Sequence, residues 1–269
     1  MDVNIFKGKT CIITGATAGI GLAMARQLAE TGAQLILAAR NQQRLDEVVK
    51  TCIDLGAKAI GVPTDIGKLE DCKNLIQKSV DHYGGIDCLI NNAGITMIAP
   101  FETIDDPLLF DNVMRVNFLG AAYCTYFALP YLKRSKGRIV ALSSISGFTG
   151  LPYRSAYSAS KHAMVGFFDT LRLELMDEGV SVTTAYPGFV KTEIRERAFD
   201  GSGKPLKSEY VDESHSMTPE ECSDIILKTA AKRKKEVIMT FRAKIGRYIK
   251  VLFPRLADRI VLRAVRTGK

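Results

Sequence analysis

Short apolar runs alternate with helical segments along most of this 269-residue chain. The helical spacing covers the stretch up to about residue 30 and then residues 41–55, 67–83, 107–134 and 155–177. The apolar runs occupy residues 10–14, 34–39, 58–62, 86–90, 138–142 and 180–185. Strands that are apolar throughout and separated by helices indicate a parallel sheet covered on both faces. Right-handed crossovers then predict an α/β fold, a doubly wound parallel sheet in a three-layer α/β/α arrangement.

A glycine-rich turn joins the first apolar run to the first helix. Gly15, Gly19 and Gly21 follow the spacing GxxxGxG rather than the commoner GxGxxG. Glycines keep such a turn tight and let the backbone approach a pyrophosphate at the positive end of the helix. Taken alone, the turn also fits an ordinary strand–helix corner. At the first strand–helix junction of a doubly wound sheet, it predicts a Rossmann fold that binds a dinucleotide.

The end of the second apolar run indicates which dinucleotide. An NAD-preferring protein usually places an acidic residue there, to accept hydrogen bonds from the ribose 2′-hydroxyl. This chain has Ala39 followed by Arg40. A guanidinium can bind the 2′-phosphate of NADP through paired, charge-assisted hydrogen bonds. We therefore predict NADP(H), with the alternative that Arg40 only faces solvent.

Further motifs follow in a fixed order. They are Asp65 in the run PTDI, the NNAG sequence at 91–94, YSASK at 157–161 and YPGFVKT at 186–192. Together with the glycine-rich turn, they make the chain resemble the short-chain dehydrogenase/reductase family in its compact form, over about residues 8–240. One departure is Ala18, where many NADP-preferring relatives carry a basic residue. This leaves Arg40 as the main candidate for binding the 2′-phosphate.

The resemblance implies an NADP(H)-dependent oxidoreductase acting on a carbonyl/alcohol pair. It also implies the site residues. The catalytic residues would be Asn117, Ser144, Tyr157 and Lys161. The cofactor contacts would be Gly15, Thr17, Ala18, Gly19, Ile20, Gly21, Arg40, Asp65, Ile66, Asn92, Ala93, Gly94, Tyr157, Lys161, Pro187, Gly188, Val190 and Thr192. Asn117 would organise a water that relays protons to Lys161.

The spacing of Tyr157 and Lys161 suits acid–base chemistry. Residues four apart on a helix share a face, so the ammonium can stabilise a tyrosinate. A free tyrosine has a pKa of ~10, too high for proton transfer at neutral pH without such help. Ser144 could bind the substrate oxygen, and since neighbours on a strand point to opposite faces, Ser143 could not do so as well. Tyr153 is a second tyrosine nearby, but only Tyr157 has the Tyr-x-x-x-Lys spacing.

Other functions fit less well. A sugar-nucleotide epimerase that retains NAD shares Tyr-x-x-x-Lys but carries a larger C-terminal domain than the roughly 80 residues that follow Pro187 here. A non-catalytic NADP-binding regulatory protein would be expected to lose a member of the catalytic set. The dispersed histidines predict no metal site. Ser143 and Ser144 are not in a GxSxG elbow, which disfavours a serine hydrolase.

The substrate is predicted to be hydrophobic. The segment 152–157 resembles the branch of the family that handles ketosteroids, retinoids and other hydrophobic carbonyls. A polar stretch at about 189–218 carries apolar side chains and is expected to form a lid over the substrate, or a surface insertion. Its apolar members are Phe189, Ile194, Phe199, Leu206 and Tyr210.

Charge is distributed unevenly. Residues 232–269 carry a net charge of +11, whereas the preceding 231 residues carry −3. The predicted catalytic domain (residues 1–240) therefore gives no reason to expect nucleic acid as a partner. The six cysteines form no CxxC pair and are expected to be reduced core residues. With no apolar leader at the N-terminus, a cytoplasmic location is expected.

The C-terminal extension, residues 241–269, has an amphipathic pattern. Apolar residues recur every three or four positions, Pro254 should divide two helices, and Arg255, Arg259, Arg263 and Arg266 form a basic stripe. Such a helix can contact a membrane peripherally through 242–269. The favoured alternative is packing on the protein's own body or across a subunit interface. The family resemblance implies a homodimer or homotetramer through helices 107–134 and 155–177, with Phe167, Phe168, Leu171 and Leu175 as candidates.

Overall fold

A computed structural model describes residues 3–194, 196–206 and 216–267. Within these ranges the strands are β1 (Thr10–Thr14), β2 (Gln34–Ala39), β3 (Lys58–Pro63), β4 (Cys88–Asn91), β5 (Arg138–Leu142), β6 (Ser181–Tyr186) and β7 (Glu236–Ile238). They form one parallel sheet of order β3-β2-β1-β4-β5-β6-β7. The predicted doubly wound Rossmann sheet is confirmed.

Helices cover both faces of this sheet. They are α1 (Gly19–Glu30), α2 (Gln42–Asp54), α3 (Leu69–Tyr83), α4 (Leu108–Met114), α5 (Gly120–Ser135), α6 (Ser155–Glu174), α7 (Pro219–Ala231), α8 (Phe241–Leu252) and α9 (Pro254–Thr267). None of the helices in the described ranges is long and apolar enough to cross a membrane.

The core is divided into two layers by the sheet. Ile13 of β1 packs in the layer that contains α1 and α7, whereas its neighbour Ile12 packs in the layer that contains α3, α5 and α6. This alternation follows from the period of two along a strand. Because both faces of the sheet are covered by apolar layers, each buried strand is a continuous run of apolar residues in the sequence. The six cysteines, all within the described ranges, are buried and free.

The strand order reverses between β1 and β4. Cys11 pairs with Leu35 of β2 on one side and with Cys88 of β4 on the other. The crossovers on the two sides of this point run in opposite directions, which leaves a crevice at the carboxyl ends of the strands. The glycine-rich turn follows β1 directly and therefore opens onto this crevice.

Two elements differ from the sequence prediction. The helix expected at 107–134 is interrupted by a π-helical turn at Arg115–Leu119, between α4 and α5. Strand β7 was not predicted, because three half-buried residues give too short an apolar run. At the start of helix α7, Thr218 and Glu221 form a capping box and Pro219 is the first helical residue.

Candidate active site

A cavity of about 530 Å³ lies at the carboxyl edge of the sheet. It extends from the glycine-rich turn to the start of α6. Of the residues predicted from the sequence, Gly21 and Asn117 do not line it. Those that do are Gly15, Thr17, Ala18, Gly19, Ile20, Arg40, Asp65, Ile66, Asn92, Ala93, Gly94, Ser144, Tyr157, Lys161, Pro187, Gly188, Val190 and Thr192.

The glycine-rich turn has no space for side chains at its tightest points. Gly15 has φ 67°, and a methyl group there would lie 2.9 Å from Ala93 Cα. A methyl group on Gly21 would collide with the Gly15 carbonyl oxygen and with Asn92 Nδ2. Asn92 Nδ2 also donates hydrogen bonds to the carbonyls of Thr14 (2.8 Å) and Gly15 (3.1 Å). Gly21 thus acts behind the cavity, by letting the turn close on the NNAG segment.

The start of α1 is suited to binding an anion. Ala18 occupies the N-cap position and makes no side-chain hydrogen bond to the helix. The N-cap side chain therefore leaves the amide groups of the first turn, which carry the positive end of the helix dipole, available to another acceptor. Together with the tight glycine cradle beside it, this helix start fits the pyrophosphate of a dinucleotide.

The far end of the cavity carries Arg40 and Asp65. Arg40 follows β2 and is exposed at the cavity wall. Asp65 is half-buried, and its Oδ1 accepts a hydrogen bond from the Gly67 amide at 3.1 Å. These positions are compatible with a 2′-phosphate and an adenine ring, respectively.

At the opposite end, Lys161 is a buried cation. Its Nζ donates to the Leu142 carbonyl at 2.7 Å and lies 5.7 Å from the centre of the Tyr157 ring. Its side chain is 4% exposed, and burial lowers the pKa of Lys161 to about 8. The helical spacing therefore does bring Tyr157 and Lys161 together, with the half-buried tyrosine facing the cavity.

Asn117 lies in the π-helical turn and is fully buried behind the cavity. Its Nδ2 donates to the Ile95 carbonyl and to Ser160 Oγ, both at 2.9 Å, and its Oδ1 accepts from the Ile95 amide at 2.8 Å. The side chain thus links the segment after β4 to α6. The predicted water relay to Lys161 stays a prediction.

The two neighbouring serines after β5 are used differently. Ser143 Oγ donates to the Lys161 carbonyl at 3.2 Å, which holds α6 against the sheet. Ser144 Oγ accepts a hydrogen bond from the Ser146 amide at 3.2 Å, so its own hydroxyl proton can be donated to another acceptor. Both residues line the cavity, whereas sequence alternation suggested that only one would. Tyr153 is 51% exposed and is not among the cavity-lining residues.

The sequence did not single out several residues on the substrate side of the cavity. Thr96 follows the NNAG segment, and its Oγ1 accepts a hydrogen bond from the Arg154 guanidinium at 3.2 Å. The position of Arg154, three residues before Tyr157 at the start of α6, could have identified it. Thr96 could not be found in this way, because only the fold brings it close. The other residues missed include Asn112, Ile145 and Leu151.

Part of the predicted lid lies over this end of the cavity. Phe199 exchanges backbone hydrogen bonds with Thr96 (3.0 Å) and Ile98 (2.9 Å), and Phe189, Ile194 and Phe199 line the cavity. Glu193 pairs with Arg44 at 3.5 Å and also with Arg197. The remainder of the predicted lid, residues 207–215 with Tyr210, lies outside the described residues, as does residue 195.

The reversal of strand order between β1 and β4, the glycine-rich turn and the start of α1 together define a nucleotide-binding protein of the Rossmann class. The family model described as short chain dehydrogenase matches residues 9–202. The chain belongs to this family.

Curated relatives include plant proteins. The chain is 43% identical over 188 residues to the 11-beta-hydroxysteroid dehydrogenase-like 2 of Arabidopsis thaliana, covering 70% of this chain and 61% of the relative. It is 36% identical over 259 residues to the 11-beta-hydroxysteroid dehydrogenase of Pinus massoniana, covering 94% and 72%. The chain thus spans about 61% of the length of the Arabidopsis relative.

Solved structures share the fold. An alcohol dehydrogenase from the archaeon Thermococcus sibiricus, complexed with 5-hydroxy-NADP, is 27% identical with a TM-score of 0.74, covering 86% of this chain and 95% of that one. A short-chain dehydrogenase/reductase from Burkholderia phymatum, in complex with NAD, is 24% identical with a TM-score of 0.83, covering 93% and 95%. The latter likeness concerns the fold alone.

Proposed function

We propose that the protein is an NADP(H)-dependent oxidoreductase that interconverts a carbonyl and a secondary alcohol on a hydrophobic substrate. The observation that carries this proposal is the buried ammonium of Lys161, 5.7 Å from the centre of the Tyr157 ring at the cavity wall. Burying a cation costs free energy, and groups in a cleft whose pKa is shifted by burial are candidates for chemistry. Membership of the short-chain dehydrogenase family supports the same reaction class.

Tyr157 is the proposed acid and base. When bound, NADPH supplies the hydride that reaches the substrate carbonyl carbon. In this direction Tyr157 Oη gives its proton to the carbonyl oxygen, and in the reverse direction it removes the alcohol proton. The positive charge of the Lys161 ammonium stabilises the tyrosinate form that Tyr157 adopts after it gives up its proton. Ser144 Oγ donates a hydrogen bond to the same substrate oxygen, which fixes that oxygen beside Tyr157.

The residues along the cavity fit a nicotinamide dinucleotide. The turn from Gly15 to Gly21 would hold the pyrophosphate, Asp65 the adenine, and the 187–192 segment the nicotinamide. Lys161 would also hold the nicotinamide ribose. Because Ala39 offers no carboxylate for a 2′-hydroxyl and Arg40 offers a guanidinium for a 2′-phosphate, NADP(H) is the proposed cofactor. The two solved structures contain one cofactor of each type, so this choice rests on Ala39 at the end of β2 and on Arg40 after it.

The proposed substrate class is a hydrophobic carbonyl such as a ketosteroid. Apolar side chains of Leu151, Phe189, Ile194 and Phe199 line the cavity beyond Tyr157. An apolar wall of this kind binds a ligand mainly by removing its surface from water. The names of the curated relatives refer to hydroxysteroids, which agrees with this wall.

Replacing Tyr157 by Phe tests the proposal. NADPH consumption is measured with a panel of a ketosteroid, retinal, a 3-keto-acyl ester and an aromatic ketone. We expect the best substrate of the wild-type protein to lose about 10²–10⁴-fold in kcat, the usual contribution of a general acid. The NADPH dissociation constant should stay within about twofold, because the hydroxyl that is removed donates its proton to the substrate oxygen.

The matched control is Tyr153→Phe, four residues earlier and exposed. It should retain full activity. Substantial turnover by Tyr157→Phe would contradict the proposed acid–base role. NADPH binding without turnover of any substrate by the wild-type protein would instead favour a non-catalytic NADP-binding protein.

A further inference from the structure

Helix α8 has an apolar stripe that the rest of the described protein leaves uncovered. Phe241, Ile245, Tyr248 and Leu252 follow the spacing i, i+4, i+7 and i+11, which places them on one face of the helix. Their exposed fractions are 75, 43, 70 and 67%. Exposed large apolar side chains continue at Phe253, Leu256 and Ile260. We refer to residues 241–267 as the tail; within the described residues, the side chains of this stripe remain largely exposed.

The tail is also strongly basic. Arg255, Arg259 and Arg263 are spaced four apart on α9 and are exposed. Residues 241–267 contain eight Lys and Arg and one acidic residue, Asp258. Contiguous apolar surface flanked by cations marks an interaction surface rather than ordinary solvated helix.

The first helix of the tail is held in place by the catalytic body. Arg247 pairs with Glu236 of β7 at 2.8 Å. Its guanidinium also lies 5.8 Å from the ring centres of both Phe148 and Tyr186. A methyl group added at Gly188 would lie 3.5 Å from Thr240 Cγ2, so α8 begins next to a residue that lines the cavity. The exposed stripe is therefore presented by an anchored helix.

We propose that the tail docks on the surface of a membrane that contains anionic lipid. The apolar stripe of α8 would enter the boundary between headgroups and acyl chains, and the arginines of α9 would contact the lipid phosphates. The charge argues against a second copy of the chain as the occupant. A two-fold interface brings the same patch of both subunits together, which would place two tails of the same positive charge against each other.

Vesicle co-sedimentation tests this proposal on the full chain. We expect binding at low ionic strength to vesicles of phosphatidylcholine with phosphatidylglycerol, and little binding to vesicles of phosphatidylcholine alone. The bound fraction should fall at about 1 M salt, where the Debye length is only about 3 Å. The triple variant Arg255→Gln/Arg259→Gln/Arg263→Gln should weaken partitioning by about 100-fold, since each cation near an anionic surface contributes roughly fivefold.

Matched controls separate docking from general charge effects. Lys50→Gln/Lys73→Gln/Lys78→Gln removes three exposed cations of α2 and α3 and should leave binding nearly unchanged. Tyr248→Asn/Leu252→Asn should weaken binding by about tenfold, whereas Ile53→Asn, at an exposed site on α2, should not. Circular dichroism checks that every variant stays folded.

Three results would overturn the proposal. The first is that the wild-type protein does not bind anionic vesicles at low ionic strength. The second is that the arginine triple variant of α9 and the lysine triple variant of α2 and α3 lose binding equally. The third is a reduced oligomeric size of Tyr248→Asn/Leu252→Asn in light scattering, because the stripe would then be a subunit interface.

Discussion

The buried ammonium of Lys161 lowers the free energy of unfolding of the cofactor-free protein at neutral pH. Burial lowers its pKa to about 8 in the folded state, against about 10.5 when it is exposed in the unfolded chain. Below pH 8 both states are protonated, and the folded state bears the full penalty, of order 3 kcal/mol. Between these two values the unfolded state binds more protons, so the free energy of unfolding contributed by this residue rises with pH.

We therefore predict that Lys161→Met stabilises the cofactor-free protein at pH 7. The expected gain is about 1–2 kcal/mol, because relief of the burial penalty exceeds the loss of the hydrogen bond to the Leu142 carbonyl. Urea denaturation at pH 7 and at pH 9.5 measures it. The variant should also lose part of the rise in stability between these pH values. Lys50→Met, at an exposed position of α2, is the control, and an unchanged pH dependence in Lys161→Met would refute the argument.

Arg40 is expected to decide between the two nicotinamide cofactors. Arg40→Ala should weaken NADPH binding by about 1.5–3 kcal/mol, the value of a hydrogen bond to a charged group, and should barely change NADH binding. Fluorescence titration of both cofactors measures the difference. Lys50→Ala serves as a control for the loss of one exposed cation. Comparable use of NADH and NADPH by the wild-type protein would show that the assignment is wrong.

The π-helical turn between α4 and α5 is the element that places Asn117. Asn117→Ala would leave the half-buried Ile95 amide and carbonyl without the partners they have now. A lost buried partner costs about 1–3 kcal/mol. We expect the variant to lose about 3 kcal/mol of unfolding free energy and the Ile95 amide to exchange faster with deuterium.

Asn74→Ala, on the exposed face of α3, is the matched control and should change stability by less than about 0.5 kcal/mol. If the Ile95 amide exchanged with deuterium at the wild-type rate in the Asn117→Ala variant, the Asn117 side chain would not be what holds the segment after β4 in place.

At the scale of elements, local signals were predictable and tertiary ones were not. Thr218 and Glu221 identify the start of α7 because a capping box lies within four residues. Strands β1 to β6 follow from their apolar runs, whereas β7 is too short to be recognised in this way. The π-helical turn shifts the helical phase by a fraction of a turn, which an apolar pattern does not resolve. Thr96 approaches Arg154 from 58 positions away, so no local pattern could link the two residues.

The interface residues proposed from the sequence need correction. Phe168, Leu171 and Leu175 are 0, 8 and 2% exposed, so they belong to the protein's own core. The fourth candidate, Phe167, is half-buried against the same core. Tyr126 on α5 and Leu173 on α6 are exposed instead, at 74 and 58%.

For the whole molecule we expect a dimer or tetramer that uses these two exposed residues. Tyr126→Glu/Leu173→Glu should shift the protein to a smaller species in light scattering at micromolar concentration, since charges buried in an interface are costly. The control Ile53→Glu, 50% exposed on α2, should keep the wild-type size. A wild-type protein that is monomeric at this concentration would contradict the expectation.

The sheet separates two core layers, and each contributes one wall of the cavity. Gly19 and Ile20 belong to α1 on one side, whereas Tyr157 and Lys161 belong to α6 on the other. A dinucleotide lying across the cavity would therefore contact helices of both layers and stabilise their packing on the sheet. Ligand present at about 100 times its dissociation constant would add about 2.7 kcal/mol to the free energy of unfolding. Because unfolding of either layer would release the ligand, proteolysis through such unfolding should slow even in helices that do not contact the ligand.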